Sequence, residues 1–357
     1  MVDGPLCAHP EYYFSDGNFC IVAEQVVFRL YAGQWARRSN VLKNMLERPS
    51  YNPHNDGVSP LLQECQHTIW VNGRVSASDI EGLCLYIYDD VWVLSFPPAK
   101  CPMLSHPGRE LDADGNLDTT LGVLRCAHLW EMQTLRRRAH RVLRQMWSDD
   151  VNGLGWGGSE GQARHIIESS AKVVKYVFWT KNPRDFILLP AAYYFLTITR
   201  GYKHLSGLTG NEKSNMLAHT AALNDIYYDI LRGVVRDVLY KGGEDGAQHL
   251  SKCRDPQRWR AALEKWTDAR FASYGRMMGG EGQVFDPLEE LVSTAEFERS
   301  LEVFEQDTCI ACAERLRKYL KEKRYELWEN LPQRFDLPKW KELRESLSGW
   351  VPDPEDM

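Results

Sequence analysis

The sequence predicts an α+β protein: a small α/β domain at the N-terminal end, followed by an all-α domain. Three observations predict this. Phe19-Cys20-Ile21-Val22 and Val26-Val27-Phe28-Arg29-Leu30 are short apolar runs rich in β-branched and aromatic residues. They are separated by Ala23-Glu24-Gln25 and read as a β-hairpin with a three-residue connection. After Leu30 the apolar period becomes helical: Val41, Leu42, Met45 and Leu46 recur at i, i+1, i+4 and i+5. Far downstream, past residue 180, strand signals are scarce and helical stripes dominate.

Taken in order, residues 1–8 read as a loose tail, and the first domain spans 9–147. Ser15-Asp16-Gly17-Asn18 is a turn that launches the first strand. Ser39 is placed to cap the helix that carries Val41 and Leu42. Pro49, Asn52, Pro53, Asn55, Asp56, Gly57 and Pro60 make 47–79 a long loop, with strand-like residues at Thr68–Val71. Leu83–Tyr88 is continuously apolar, as a central strand would be. Pro97, Pro98 and Pro102 cut short a helix that Val91–Phe96 would begin, so 91–118 has no assigned fold. Two helices follow, with stripes at Leu121, Leu124 and Leu129 and at Leu135, Ala139, Val142, Leu143 and Met146.

Residues 148–161 are glycine-rich and read as a linker. The helical domain is expected over 162–350. Ile166, Ile167, Ser170, Val173, Val174 and Val177 form one stripe. Leu223, Tyr227, Ile230, Leu231, Val234 and Val238 form another, which stops at Lys241-Gly242-Gly243. Asp255-Pro256 and Asp286-Pro287 each set a capping aspartate before a proline at the first helical position.

At 357 residues the chain can bury two cores. A net charge of -6 argues against nonspecific nucleic-acid binding. No apolar run approaches the length of a membrane span, and no signal peptide precedes the domain, so an intracellular protein of the cytoplasm or nucleus is expected. In that setting the nine cysteines read as reduced thiols. The 12 tryptophans belong mostly in cores or interfaces.

Few motifs carry chemistry. Gly153-Leu154-Gly155-Trp156-Gly157-Gly158 fits the dinucleotide fingerprint, and Gly157–Gly161 fits a nucleophile elbow. Both need a preceding strand, whereas a basic helix precedes them here, so the run reads as a linker. Cys309-x-x-Cys312 could be half of a zinc site, with His249 and Cys253 as the other half. The simpler reading puts Cys309, Cys312, Leu316, Tyr319 and Leu327 on one buried helical stripe. A redox role lacks the strand of a thioredoxin-like unit. Arg136, Arg137, Arg138, Arg141 and Arg144 read as a solvated helix face partly packed on the second domain. Tyr193, Tyr194 and Phe195 read as core. No metalloprotease motif, Walker A loop or convincing triad is present, so no catalytic residue and no cofactor is expected.

The opening His9-Pro10-Glu11-Tyr12-Tyr13-Phe14-Ser15-Asp16-Gly17-Asn18, and the segment Phe28–Leu46 with its two strands leading into a helical hairpin, resemble a BTB/POZ domain of the kind abundant in mushroom-forming fungi. Tyr31 stands where the family has histidine, and Trp35 where it has leucine. Leu188–Tyr194, the Cys309–Cys312 segment, Trp328-Glu329-Asn330-Leu331-Pro332 and Trp340–Leu343 extend the resemblance into the second half. It implies a non-enzymatic adaptor or scaffold that works through protein–protein interaction. A homodimer is implied, with Tyr12, Tyr13, Phe14, Trp35 and Val41 as interface anchors. Some members serve cullin-type ubiquitin ligases, so such a scaffold is a candidate partner, although Pro49 interrupts the helix end expected to contact it. Corepressor recruitment is not implied, because Asn18 and Gly33 or Gln34 replace the charged pocket. The alternatives are a zinc-stabilised helical module and a cofactor-binding enzyme using Gly153–Gly161.

Overall fold

A computed structural model describes residues 5–48, 59–62, 65–71, 73, 75–88, 113–153, 160–198, 210–239, 255–278, 287–291, 302, 304 and 308–348. The class is α+β. The chain divides into two compact units: Met1–Met146 with Tyr176–Asp185 and Ser348–Met357, and Trp147–Lys175 with Phe186–Leu347. Tyr176–Asp185 thus groups with the first unit, although the sequence assigns it to the 162–350 domain. Among the described residues no helix is long and apolar enough to cross a membrane.

The first unit is built on the hairpin. β2 (Phe19–Ala23) and β3 (Val26–Leu30) pair antiparallel from Phe19↔Leu30 to Ala23↔Val26. The connection is therefore the two residues Glu24-Gln25, not three; Glu24 takes a left-handed φ of 56°. Every residue of β2 is buried, as suits a strand covered on both faces. β1 (Cys7–Tyr13) lies outside β3, and β4 (His67–Trp70) outside β2, each parallel to its neighbour, in the order β1-β3-β2-β4. β1 corrects the expectation of a loose tail before the first strand. Its Pro10 is tolerated because β1 has only one neighbour. Asn18 Oδ1 accepts from the backbone N–H of Ala32, which opens α1 (Ala32–Ala36). Ser39 caps α2 (Asn40–Glu47) by accepting from Leu42 N–H at 3.0 Å. The expected 47–79 loop falls partly outside the described residues; Pro60–Leu62 forms a single 3-10 turn.

Leu83–Tyr88 is not a strand but the second half of a helix, α3 (Ala77–Tyr88). Ser76 and Asp79 exchange hydrogen bonds: Asp79 N–H donates to Ser76 Oγ at 3.2 Å, and Ser76 N–H to Asp79 Oδ2 at 2.9 Å. That capping box fixes the helix start, and buried Ile80, Leu83, Cys84 and Ile87 then fall on one face. α4 (Ala113–Leu129) packs closely on α3, since a Cβ on Gly122 would come within 2.8 Å of Asp79 Oδ1. Arg125 grips the same carboxylate through Nε and a guanidinium nitrogen. α5 (Gln133–Met146) closes the unit.

Cys20 and Cys65 are joined by a disulfide with Cα atoms 5.9 Å apart, linking β2 to the lead-in of β4. This corrects the expectation that all nine cysteines are reduced.

The second unit contains no strand among the described residues. Its elements are most of α6 (Glu160–Thr180), α7 (Leu189–Thr197), α8 (Gly210–Leu239), α9 (Pro256–Met278), α10 (Pro287–Glu290), α11 (Ile310–Glu329), α12 (Leu331–Arg334) and α13 (Trp340–Glu345). Asp255 caps α9 by accepting from Arg258 N–H at 2.9 Å. The α8 stripe is buried against Trp259, Leu263, Trp266, Cys312, Leu316 and Leu320.

Residues 147–153 are not slack linker. Trp147 Nε1–H donates to Ser170 Oγ at 2.8 Å, and Asp149 O accepts from Trp328 Nε1–H and from Arg344. Val151 O accepts from Arg324, and Asn152 Nδ2 donates to Tyr325 Oη at 2.6 Å. The segment is thus held by side chains of helices far away in sequence. Gly155, Trp156, Gly157 and Gly158 lie outside the described residues.

Candidate interaction surface

The N-terminal aromatics alternate across β1, because successive side chains of a strand point to opposite faces. Tyr12 is 4% exposed and turns inward, toward His9 at 5.2 Å and Tyr88 at 6.3 Å between ring centroids. His9 in turn stacks on Phe28 at 4.7 Å, and its Nδ1 accepts from the N–H of Tyr12 at 3.0 Å. Tyr13 takes the other face: its hydroxyl donates to Leu61 O at 3.0 Å, and the Arg29 guanidinium lies 5.9 Å from its ring. Phe14 stacks on Tyr31 at 5.0 Å and meets Tyr88 edge-on at 5.1 Å.

Tyr88, the last residue of α3, is the hub. Its hydroxyl accepts from the N–H of Tyr31 at 3.1 Å and from Trp35 Nε1–H at 2.9 Å. Burial pushes its phenol well above the usual tyrosine range, so it stays protonated at any physiological pH. Tyr31 donates to Asp16 Oδ1 at 2.6 Å, which holds its own proton on more firmly. Trp35 is fully buried between Phe19 at 5.8 Å and Trp130 at 5.6 Å. Tyr12 and Trp35, expected as interface anchors, are therefore core residues of this chain. Packed inside the chain, these rings withdraw their apolar area from water without needing a partner. Tyr13, Phe14 and Val41 are half-buried and keep part of their surface outside.

What remains accessible is on α2. Only Leu42 of its apolar stripe is buried; Val41 and Leu46 are half-buried, and Met45 is 42% exposed. Trp70, at the end of edge strand β4, is 48% exposed. Phe178 and Trp179 are 44% and 41% exposed, with Trp179 edge-on to His128 at 5.5 Å.

Of the four metal candidates, the structure describes Cys309 and Cys312. His249 and Cys253 lie outside the described residues, and among those described no three His, Cys, Asp or Glu side chains come together as a metal site. Cys309 and Cys312 are brought within 3.1 Å of each other at the start of α11. The strand a dinucleotide fingerprint requires is also missing: α5 and a 3-10 turn at Val151–Gly153 precede the loop.

Two polar features were not foreseen. The first is a buried cluster in the first unit. Asp185, fully buried, accepts from an Arg136 guanidinium nitrogen at 2.8 Å and from Thr180 Oγ1 at 2.8 Å. His140 Nε2 lies 3.9 Å from the other carboxylate oxygen. Burial, outweighing the attraction of Asp185, lowers the His140 pKa to about 4, with Arg144 and Arg136 pushing the same way. Arg136 is thus not on a solvated face, and its partner belongs to the first unit. Arg141 is exposed as expected. The spacing of the arginines carries no signal for a partner 49 residues away.

The second feature is a cleft of about 270 Å³ in the second unit, lined by Asp229, Arg236, Asp237, Tyr319, Lys323 and Glu326 among others. Several of its charged groups are paired with one another. Arg236 Nε meets Asp237 Oδ1 at 2.9 Å, Lys323 pairs with Glu326, and Tyr319 donates to Asp237 at 3.3 Å.

No protein-family model, curated protein or solved structure matches the chain.

Proposed function

We propose that this is a non-enzymatic protein–protein interaction module of the BTB/POZ kind, and that its first unit self-associates through α2. The observation that carries the reading is the α2 stripe: a capped, amphipathic helix whose Val41, Met45 and Leu46 are left incompletely covered while the core beside it is full. An apolar helix face rimmed by polar residues marks an interaction site. A second copy offers the same face, as a two-fold interface requires. The layout from β1 to α2, with a strand and hairpin leading into two short helices, supports the BTB-like reading. Tyr13, Phe14 and Val41 keep the role of rim contacts in it.

Sedimentation velocity tests this. Wild type is expected to be dimeric at micromolar concentrations, and Met45→Glu to be monomeric with an unchanged melting temperature, because Met45 contributes little to the chain's own core. A wild type that stays monomeric throughout that range overturns self-association through α2.

A further inference from the structure

Cys309 and Cys312 sit at the start of a 20-residue helix. Cys309 is the residue just before the first turn, with extended backbone at φ -89°, ψ 153°. Cys312 is within that turn and fully buried in the core formed with Leu316 and Trp259. The backbone N–H of Cys312 donates to Cys309 O at 2.9 Å, which fixes the short arc between them. Their sulfurs are 3.1 Å apart. The two differ in access: Cys309 is half-buried and its neighbour Ile310 is 76% exposed, so a reagent can reach Cys309 but not Cys312.

We propose that Cys309 and Cys312 form a reversible dithiol–disulfide site that reacts with small disulfides of the glutathione type. In the first step the Cys309 thiolate attacks one sulfur of the small disulfide. A new S–S bond forms to Cys309, the original S–S bond breaks, and one small thiol leaves with the proton that Cys309 gave up. In the second step Cys312 loses its proton and attacks the Cys309 sulfur, expelling the second small thiol. The two cysteines lose two electrons and two protons, and the small disulfide becomes two thiols. The attacking thiolate stands where the N-terminal end of a helix stabilises negative charge. Closing the sulfurs from 3.1 Å to a bond of about 2.05 Å needs a shift of only about 1 Å, within reach of side-chain rotation. The buried thiol protects the exposed one: a mixed disulfide on Cys309 is resolved before it accumulates.

The full-length protein is incubated with glutathione disulfide, and its thiols are trapped with iodoacetamide before peptide mass spectrometry. The Cys309–Cys312 peptide is expected to lose two hydrogens and both alkylation sites together, and to regain both on adding glutathione. Cys312→Ser should arrest the reaction as a stable glutathione adduct on Cys309. In Cys309→Ser, adduct formation at Cys312 should be slower by roughly tenfold or more, because that thiol is buried. Circular dichroism confirms that each variant is folded, and the wild-type measurement stands without them. Persistence of both thiols in an excess of glutathione disulfide overturns the proposal. So does equal adduct formation in the two variants, or purified protein with one equivalent of zinc that must be chelated before the thiols react.

Discussion

The two units bury polar groups with a different emphasis, although Trp35 of the first gives its indole N–H to Tyr88 and Arg270 of the second is buried. The first unit buries charge: Asp185 against Arg136, and Asp79, 5% exposed at its side chain, against Arg125. The second buries three indoles whose N–H groups are satisfied by neutral acceptors. Trp147 donates to Ser170, Trp328 to Asp149 O, and Trp340 to Trp328 O at 2.8 Å. A buried ion pair gains little net stability over apolar packing but is costly to break, whereas a buried indole contributes area and one neutral hydrogen bond. The first unit should therefore be the one sensitive to charge deletion and acid, and the second the one sensitive to loss of ring area.

The largest effect is expected from Asp185→Ala. It strands the Arg136 guanidinium in a site where only 5% of that side chain reaches solvent. Loss of about 3–5 kcal/mol is expected in chemical denaturation. Pairing Asp185→Leu with Arg136→Met should recover most of it, since the charge is then absent from both sides. Failure of the double variant to recover would mean that the ion pair, rather than its volume, holds the segment Tyr176–Asp185 to the first unit.

Acid should act on the same cluster. An unfolded histidine takes its proton near 6.5, whereas folded His140 resists until about 4. Between those values the unfolded chain binds the extra proton, so stability falls as pH falls through that window and is fully present above it. The loss from His140 alone is on the order of 3 kcal/mol at the acid end. His128 in the first unit is also lowered by burial and acts in the same direction, as does His219 in the second unit. Denaturation midpoints at pH 7 and 4.5 measure the loss, and His140→Gln should flatten the profile. An unchanged slope in that variant would place the acid sensitivity elsewhere.

Local signals in the sequence were legible and distant ones were not. The β2–β3 hairpin, the Ser39 cap, the Asp255 cap and the α8 stripe are all written within a few residues of where they act. α3 was legible too, through Ser76 and Asp79, but the run Leu83–Tyr88 read by itself hid its helical period. β1 was missed because an edge strand buries little, and Cys7–Tyr13 has only two buried residues. The Cys20–Cys65 bond, across 45 residues, and the Arg136–Asp185 pair, across 49, depend on the finished fold, which no spacing rule encodes. Of the candidate surface, the sequence marked the N-terminal rings and the α2 stripe. It could not say that Tyr12 and Trp35 turn inward, because a ring before a strand and a ring on a short helix look alike whichever way they face.

In the second unit, Trp340→Phe removes the N–H that satisfies Trp328 O and part of a stack whose centroids are 5.2 Å apart. A cost of about 1–3 kcal/mol is expected, because the carbonyl is left buried without its donor. The effect should not depend on pH between 4.5 and 7, in contrast with the first unit. A pH-dependent cost would blur the distinction between the two.

The smallest effect is expected from Arg344→Ala, and it tests the comparison most closely because Arg344 with Asp149 is one of the second unit's carboxylate pairs. Its Nε donates to Asp149 Oδ2 at 2.8 Å and a second nitrogen to Asp149 O at 2.7 Å, while the guanidinium lies 5.6 Å from the Trp340 ring centroid. The hydrogen bonding is as good as that of Arg136, but the Arg344 side chain is 43% exposed against 5%. Water therefore screens the pair in the folded state and solvates Asp149 when the partner is removed. The expected cost is about 1 kcal/mol or less, falling further at high salt. A double-mutant cycle of Asp149→Ala with Arg344→Ala should give a coupling well below that of Asp185→Ala with Arg136→Ala. Equal couplings would mean that hydrogen-bond geometry, and not exclusion of water, sets the strength of both pairs.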